Sequence, residues 1–336
     1  MKAVNILLLR KTGKGGKFPF ARLILIPALI SLFILSITTC RKDDDDKETA
    51  IRESAVRIQL DEISADSIES FVNWLVGMGT RFALAANHRS VALDIKNKFT
   101  SFGYADAALD SFLITKTYRN VTYNQWQYNV TASIEGTDYP DSVCILGSHY
   151  DSITGSGDPF AIAPGAHDNA SGTAATLEIA RVLKKTGFSP KRTIRFVAFG
   201  AEELGLFGSY SFVSKYESTR SISFMLNNDM IGYENDSNPG SWIVNILDYP
   251  NSTGLRKEAQ DIAKRYTSLS YINNNRYNKQ SDSYPFAMKG FKSLFFSSVD
   301  EDPYYHTVND LPGNVNYEYC SEITKLSCAI LAERNL

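Results

Sequence analysis

The chain has 336 residues, of which 43% are hydrophobic and 21% charged, a composition ordinary for a globular protein. This length suffices for one large domain or two modest ones, and we find no internal repeat and no low-complexity tract in the body of the chain. The formal net charge of −2 comes without a basic patch or an interleaving of basic and aromatic residues. The composition therefore argues against nucleic-acid binding.

The N-terminus has the organisation of a bacterial lipoprotein signal. Six basic residues precede an uncharged, mostly apolar run from Leu23 to Ile37, and Cys40 follows shortly afterwards. We therefore expect residues 1–39 to be a signal peptide whose cleavage leaves Cys40 as the lipidated N-terminus, with an uncleaved membrane anchor as the alternative. Cleavage would leave 35 − 6 = 29 basic and 37 acidic residues, a net charge of −8.

Residues 40–55 are expected to form the lipidated cysteine and an acidic tether. The run Asp43-Asp44-Asp45-Asp46 is typical of a solvated, disordered segment. It also resembles the export signal that follows the lipidated cysteine in some bacterial surface lipoproteins. These features predict an exported lipoprotein of the outer membrane, on its periplasmic or cell-surface face.

Strands alternate with helices along the rest of the chain. The predicted strands are 111–116, 125–134, 142–147, 193–200, 222–227, 242–247 and 293–296. The predicted helices are 64–79, 86–103, 171–185, 206–216, 252–268, 284–289 and 317–333. In the strand 125–134, the apolar side chains of Trp126, Tyr128 and Val130 alternate with polar ones, which indicates a half-buried strand. We expect one catalytic domain over residues 56–336, a three-layer α/β/α sandwich around a mixed, largely parallel central sheet.

Paired carboxylates follow one of these strands. Glu202 and Glu203 come just after the apolar run 193–200, at the end of a strand where open α/β sheets place their ligands. Adjacent acids repel each other, so the pair is understandable if one carboxylate binds a cation while the other remains free to take a proton. Taken alone, a Glu-Glu pair is more often a solvated helix start.

Other metal-binding side chains follow neighbouring strands. His149 and Asp151 follow the strand 142–147, and their spacing would let Asp151 orient a metal-bound His149. Asp168 precedes a helix, where it could be an N-cap or could bridge two cations, with small neighbours allowing close backbone approach. Asp229 ends another apolar strand, where a turn residue is the simpler explanation, and His306 lies in an aromatic loop.

Together these motifs offer two histidines and three carboxylates as ligands, with one glutamate to spare. Such a set of nitrogen and oxygen ligands suits a pair of zinc ions that share a carboxylate and keep positions open for water.

The order of the motifs also resembles a known family. The chain contains, in this order, His149-x-Asp151, Asp168-Asn169-Ala170-Ser171-Gly172, Glu202-Glu203-x-Gly205, Asn228-Asp229-Met230-Ile231-Gly232 and Tyr305-His306-Thr307. This order is similar to that of the co-catalytic dizinc exopeptidases, which include bacterial leucyl aminopeptidases and aminopeptidase Y, with glutaminyl cyclases and glutamate carboxypeptidases as relatives. The similarity covers about residues 120–335.

The resemblance implies a role for each matched residue. One zinc ion would be bound by His149, Asp168 and Asp229, and the other by Asp168, Glu203 and His306. By the same resemblance, Glu202 is the general base that takes a proton from the metal-bridging water and passes it to the leaving amine. Tyr305 matches a position whose hydroxyl steadies the tetrahedral oxyanion in some relatives. A cis peptide bond between Asp168 and Asn169 is also implied.

Two positions depart from the family pattern. His167 stands where the family usually has Asp or Asn, and we expect it to be a loop residue that binds no metal. The family's Ser-Asp-His before Pro-Phe is replaced here by Ser281-Asp282-Ser283-Tyr284 before Pro285-Phe286. The substrate contact expected at Tyr284 rests on this altered motif, and the aromatic residues Phe160, Tyr284 and Phe286 are expected to set the size of the pocket.

The sequence thus predicts a membrane-tethered, monomeric dizinc aminopeptidase that removes N-terminal residues from peptides with a free N-terminus. A glutaminyl-peptide cyclase is one alternative, although the resemblance implies a single ion for cyclases. A carboxypeptidase would need a basic pocket for the terminal carboxylate, and the motifs have no Arg cluster near them. A non-catalytic surface binding lipoprotein on a degenerate scaffold is the alternative from another class.

Overall fold

The protein is described by a computed structural model that covers residues 47–216 and 221–336. Eight strands form a single sheet in the order β1-β2-β4-β3-β5-β8-β6-β7. The strands are β1 Ala108–Tyr118, β2 Val121–Ile134, β3 Tyr139–His149, β4 Arg192–Phe199, β5 Ser221–Asn228, β6 Ile243–Asp248, β7 Ser270–Ile272 and β8 Ser293–Ser298.

Helices cover both faces of this sheet. They are α1 over residues 47–60, α2 Ala65–Val76, α3 His88–Ser101, α4 Gly172–Lys185, α5 Phe207–Tyr216, α6 Thr253–Tyr266, α7 Ser283–Met288 and α8 Tyr317–Glu333. In β3, Cys144 and Leu146 belong to the large core beneath α2, α3, α4, α6 and α8, while Val143 and Ile145 join α5 and α7 on the other face. This alternation buries both faces of the strand, as expected for the centre of a three-layer α/β/α fold.

The four central strands run in the same direction. β4, β3, β5 and β8 pair in parallel, whereas β1, β2 and β6 add antiparallel pairings outside them. The carboxyl ends of the parallel strands therefore meet at one edge of the sheet, where the functional residues follow. The predicted α/β architecture with a mixed, largely parallel sheet is confirmed.

Some elements differ from the sequence prediction. The short strand β7 was not predicted, and α1 includes residues 47–55, which were assigned to the tether. β1 and β2 are longer than predicted because Arg119 and Asn120, both with positive φ (48° and 62°), form a two-residue turn that lets pairing continue to the ends of both strands.

The side chains of β2 also face differently from the expectation. Trp126 is 54% exposed, whereas the polar residues Gln127 and Asn129 are buried. Gln127 donates a hydrogen bond to the Ala83 carbonyl, and Asn129 accepts one from the Gly200 N–H. Polar residues thus occupy buried positions of this strand because they satisfy the backbone of neighbouring loops.

The predicted signal peptide, Cys40 and the start of the tether lie outside the described residues. Among residues 47–216 and 221–336, no helix combines the length and the apolar composition needed to span a bilayer.

Candidate metal centre and active site

The first predicted ligand set converges at the ends of β3 and β5. His149 is the last residue of β3, and Asp229 follows β5 directly. The Nε2 atom of His149 lies 3.2 Å from Asp229 Oδ1 and 3.2 Å from Asp168 Oδ1. All three side chains are buried, so the sequence prediction that they form one cluster agrees with the geometry.

The second ligand set lies on the other side of Asp168. His306, in the loop after β8, has its Nε2 atom 3.1 Å from Asp168 Oδ2 and 3.1 Å from Glu203 Oε2. The two oxygens of Asp168 therefore face different histidines. This is the arrangement required of a carboxylate that bridges two cations.

The backbone around Asp168 is fixed by buried polar contacts. The Asp310 carboxylate accepts hydrogen bonds from the N–H groups of His167 (2.7 Å) and Asp168 (3.0 Å). The side chain of Asn169 accepts from the Met230 N–H and donates to the Asn228 carbonyl, which ties this loop to the end of β5. The predicted cis peptide bond between Asp168 and Asn169 is confirmed.

Helix α4 begins with a glycine, Gly172, because a larger residue would clash there with the end of β5 and with Asn169. A Cβ atom at this position would lie 2.1 Å from the Asn228 carbonyl oxygen and 2.5 Å from Asn169 Oδ1. Only glycine allows this approach, which confirms the expectation that small neighbours of Asp168 permit close backbone contact.

Asp151 has a different main partner from the one expected. The Nδ1 atom of His149 lies 3.1 Å from the backbone carbonyl of Asp151 but 3.8 Å from its carboxylate. The carboxylate instead accepts hydrogen bonds from the N–H groups of Glu202 (3.0 Å) and Glu203 (3.3 Å). Asp151 thus orients the two glutamates with its side chain and His149 with its backbone, because the turn after β4 brings two N–H donors closer than the imidazole.

Three residues at the site have a left-handed backbone. Ala201 (φ 57°), Met230 (φ 59°) and His306 (φ 54°) are all non-glycine residues in this sparsely populated region. Each is a ligand or lies within two residues of one. Such local strain is typical of functional sites, where the surrounding structure holds side chains in fixed directions.

The buried charges of the site shift one another's pKa values strongly. Burial and the Asp168 carboxylate raise the pKa of Glu203 to about 7, and burial also raises the pKa of Glu202 well above its usual range. Burial opposes protonation of His306, but Asp168 and Glu203 outweigh it and raise its pKa to about 10. These directions are those expected of carboxylates that are buried close together and need positive charge beside them.

A divalent cation fits the donor set better than protons do. Ligand atoms of His149, Asp168 and Glu203 all lie within 4.8 Å of one another, as do those of His149, Glu202 and Asp229. Glu203 Oε1 and His306 Nε2 are buried without a hydrogen-bond partner. Imidazole nitrogens and carboxylate oxygens are the ligands that zinc takes in catalytic sites.

An open cavity of about 400 Å³ leads to these groups. Tyr305 lines it with its ring stacked on His306 at a centroid distance of 3.9 Å, and burial raises the pKa of the Tyr305 hydroxyl so that the group remains a donor. The rest of the wall comes from segments before and after the ligands, namely Gly205, Leu206, Tyr210, Met230, Tyr277, Lys279, Gln280 and Phe295. The cavity therefore has an acidic floor and a rim of aromatic, apolar and polar side chains, with one cationic side chain, Lys279.

Tyr284, which was predicted to contact the substrate, lies away from the main cavity. It packs near Tyr249, in a cluster with Leu247 and Phe295. Ser283 is buried and shares a hydrogen bond with the Tyr249 hydroxyl (2.9 Å). Both residues belong to the short helix α7, which turns them toward the core.

The other aromatic residues expected in the pocket are also placed elsewhere. Phe286 is fully buried, and Phe160 packs against Phe82. His167, predicted to be a loop residue that binds no metal, is buried, and its Nδ1 accepts a hydrogen bond from the Gly232 N–H.

Several supporting residues were missed by the sequence analysis. Arg81 is buried and donates hydrogen bonds to the carbonyls of Tyr150 (2.8 Å), Pro164 (2.7 Å) and Gly165 (2.7 Å). Ser281 donates to Asp229 Oδ2. Ser281 lies in the altered family motif, which did not predict this contact, and no local motif marks Arg81, which is brought beside the ligand loops only by the tertiary fold.

The sequence comparisons agree with this geometry. The family described as Peptidase family M28 matches residues 129–331. A probable aminopeptidase of Saccharomyces cerevisiae is 29% identical over 228 residues, which cover 65% of this chain and 60% of that protein. The matched region thus spans less than two thirds of this relative's length.

Solved structures share the fold. A zinc aminopeptidase from Bacillus subtilis superposes with a TM-score of 0.67 and 21% identity, over 81% of this chain and 96% of that one. The glutaminyl cyclase of Bacteroides thetaiotaomicron superposes with a TM-score of 0.63 and 18% identity, over 81% and 98% of the two chains. The same fold therefore occurs in a protein named aminopeptidase and in one named glutaminyl cyclase. The family match adds to this likeness because it covers the residues of the metal centre. The chain belongs to peptidase family M28.

Proposed function

We propose that this protein is a dizinc aminopeptidase that hydrolyses the N-terminal residue from peptides with a free N-terminus. The observation that carries the proposal is the position of Asp168, whose two oxygens face His149 and His306 at 3.2 and 3.1 Å. His149, Asp168 and Asp229 would hold one ion, and Asp168, Glu203 and His306 the other. The relatives named as aminopeptidases support the same activity.

Glu202 is the group best placed to move protons. Its Oε2 atom lies 4.0 Å from His149 Nε2, so it faces the ligand cluster while belonging to neither ligand set. Hydrogen bonds from the turn after β4 to Asp151 hold its backbone in place. A carboxylate with a raised pKa can take a proton from the attacking water and deliver it to the leaving amine.

The remaining roles follow from the lining of the cavity. Tyr305 offers a protonated hydroxyl that can donate to the oxyanion as it develops. The acidic floor favours a substrate with a free α-ammonium group over a blocked one. Zinc ions, when bound, supply Lewis acidity to the scissile carbonyl and lower the pKa of water.

The alternatives receive less support from the site. A cyclase with one ion would not require both ligand sets, and both are complete here. A carboxypeptidase would recognise a terminal carboxylate, for which the rim of the cavity offers Lys279 and, among the described residues, no arginine. A binding protein without activity would not need Glu202 beside an intact ligand set.

Metal content and substrate selectivity test the proposal together. We expect two zinc ions per chain by mass spectrometry of the purified soluble form starting near Ile51, and cleavage of aminoacyl-coumarin amides but not of their N-acetylated counterparts. One zinc ion with cyclisation of N-terminal glutamine would favour the cyclase. Absence of zinc would contradict the enzyme hypothesis altogether.

We further propose that the protein is a monomer anchored to the outer membrane through a lipid on Cys40. The basic and apolar N-terminal segment ahead of this cysteine supports the proposal. Metabolic labelling with a palmitate analogue should label the wild type and not the Cys40→Ala variant. Light scattering of the soluble form should give the mass of one chain; labelling of both proteins or a dimeric mass would contradict these assignments.

A further inference from the structure

A smaller cavity adjoins the main one, and no step of the proposed reaction uses it. This side cavity measures about 150 Å³ and shares Met230, Tyr277 and Tyr305 with the main cavity. Three of its lining residues, His167, Met230 and Tyr305, are each the immediate chain neighbour of a proposed zinc ligand. Because the two cavities share part of their walls beside the proposed ligands, a substrate bound over these ligands can extend a side chain into the side cavity.

His167 presents a hydrogen-bond donor to the side cavity. Its side chain is 98% buried, and its Nδ1 atom accepts a hydrogen bond from the Gly232 N–H at 3.1 Å. An accepting Nδ1 carries no proton, so the proton of the neutral ring is assigned to Nε2. Nε2 is buried and has no partner in the described part of the chain.

Asp302 presents an acceptor. Its Oδ1 atom accepts a hydrogen bond from the Tyr304 N–H at 2.8 Å, whereas its Oδ2 atom is buried without a partner in the described residues. Asn245 bonds with Asn274 and Ser297, Ser298 accepts from the Tyr233 N–H, Asp300 accepts from Asn235, and Arg276 donates to Glu301. The hydroxyls of Tyr277 and Tyr305 complete the polar lining. Unpaired buried polar atoms are rare, and a donor and an acceptor left free in one cavity together indicate a ligand that supplies both partners.

We propose that the side cavity binds the primary carboxamide of an Asn or Gln residue beside the scissile bond, an inference that rests on the aminopeptidase function proposed above. The amide oxygen accepts from His167 Nε2–H, and the amide nitrogen donates to Asp302 Oδ2. A carboxylate would bring a negative charge against Asp302. An ammonium group would bring donors against the N–H of His167, and an aliphatic side chain would leave both atoms unpaired.

The residue that carries the carboxamide can lie on either side of the scissile bond, and peptide pairs distinguish the two. We would measure kcat/KM by mass spectrometry for Gln-Leu-amide and Leu-Gln-amide, each against the matched peptide with Glu and against Leu-Leu-amide. One of the Gln peptides should exceed its Glu counterpart by about tenfold or more. Equal rates for Gln, Glu and Leu at both positions would show that the cavity holds only water and would overturn the inference.

A single substitution should reverse the preference. In Asp302→Asn, one amide atom still accepts from the Tyr304 N–H, so the NH₂ group faces the cavity beside the His167 donor. Two donors suit a carboxylate, and the Gln-to-Glu ratio should fall by about tenfold or invert. Asp300→Asn is the matched control, because it removes the same charge from the same cavity at a carboxylate that Asn235 already engages. An equal fall in both variants would mean that charge alone sets the ratio, which contradicts the proposed hydrogen bonds.

Failure of this inference can be told apart from failure of the proposed function. Cleavage of Leu-Leu-amide without any preference for Gln leaves the aminopeptidase in place and removes the inference. If no peptide is cleaved, the aminopeptidase function fails, and calorimetric binding of the same peptides to Glu202→Gln decides the carboxamide site by itself. Tighter binding of one Gln peptide than of its Glu counterpart supports the site, and equal binding overturns it. A product lighter by one ammonia would identify cyclisation instead of cleavage.

Discussion

The floor of the main cavity and its rim are built in different ways. The floor consists of side chains at the ends of β3 and β5 and in short segments beside them, each held by buried backbone hydrogen bonds such as those from Glu202 and Glu203 to Asp151. The rim contains Tyr277, Lys279 and Gln280, which belong to a segment without helix or strand between β7 and α7. Rigid elements thus hold the proposed zinc ligands and the general base, while an irregular segment supplies side chains that can contact the substrate.

This difference predicts that changes in the floor should affect reaction rate or folding, and changes in the rim should affect substrate choice.

The largest expected effect is on the reaction rate. Glu202→Gln preserves the size of the side chain and removes the proton acceptor, so we expect kcat to fall by about 10²- to 10⁴-fold. Zinc content should stay at two ions per chain, because Glu202 belongs to neither proposed ligand set. Activity near the wild-type level, with the zinc content unchanged, would contradict the assignment of Glu202 as the general base.

Arg81, which supports the backbone beneath the floor, should contribute to the free energy of unfolding. Arg81→Met would leave the carbonyls of Tyr150, Pro164 and Gly165 without their donor, and we expect a loss of about 3 kcal/mol or more in the free energy of unfolding. Arg276→Met is the matched control, since Arg276 is exposed and pairs with Glu301 at the surface, a contact worth about 0–1 kcal/mol. Urea titrations of both variants measure the difference, and equal losses would show that the buried guanidinium has no special role.

The sequence predicted the floor far better than its support. His149, Glu202 and Asp229 lie at or just after strand ends, and the continuous apolar run of a strand buried on both faces is readable from a few residues. Arg81 and Asp310 act through contacts with backbone groups 69 or more residues away in the sequence. No local pattern encodes such a contact, so these two residues could be found only from the folded chain.

The rim was predicted least well. The local sequence patterns that mark strands and helix caps predict nothing for the segment 273–282, which brings Tyr277, Lys279 and Gln280 to the cavity because of where its two ends are anchored. Tyr284 was expected in the pocket because it lies in an altered family motif, but helix α7 turns it toward Tyr249. A shift of one residue along a helix rotates the side chain by about 100°, which is enough to exchange a wall residue for a core residue.

Removal of the metal should make the floor sensitive to pH. Burial raises the pKa of Glu203, Asp282 and Asp310 to about 7 each. Between about pH 4.5 and 7, the folded metal-free protein therefore keeps protons on these carboxyl groups, whereas the unfolded chain has released them. The free energy of unfolding consequently falls as the pH rises through this window. The raised pKa of His306 has the same sign at higher pH, because its contribution is lost as the pH rises towards about 10. Asp168, whose pKa is lowered, acts in the opposite direction only in more acidic solution.

We expect the melting temperature of the EDTA-treated protein to drop by about 5 °C or more between pH 5 and pH 8. The zinc-loaded protein should gain stability from its metal over the same range, since the ligands must lose their protons to bind it. Calorimetric melts at both pH values, with and without EDTA, give the comparison. If the melting temperature changed equally with pH in both forms, the raised pKa values would not control the stability of the metal-free protein.

The smallest expected effect concerns the rim. Lys279 lines the cavity, and its ammonium group has no ion-pair partner among residues 47–216 and 221–336. An exposed cation can attract the C-terminal carboxylate of a short peptide with about 0–1 kcal/mol, which corresponds to a factor of up to about five. Lys279→Gln should therefore raise KM for Leu-Leu by this factor at low salt and leave KM for Leu-Leu-amide unchanged. Lys257→Gln removes the same charge from the exposed surface of α6 and should change neither value. A fall in kcat for both peptides would place Lys279 among the groups that act on the reaction and would break the division between floor and rim.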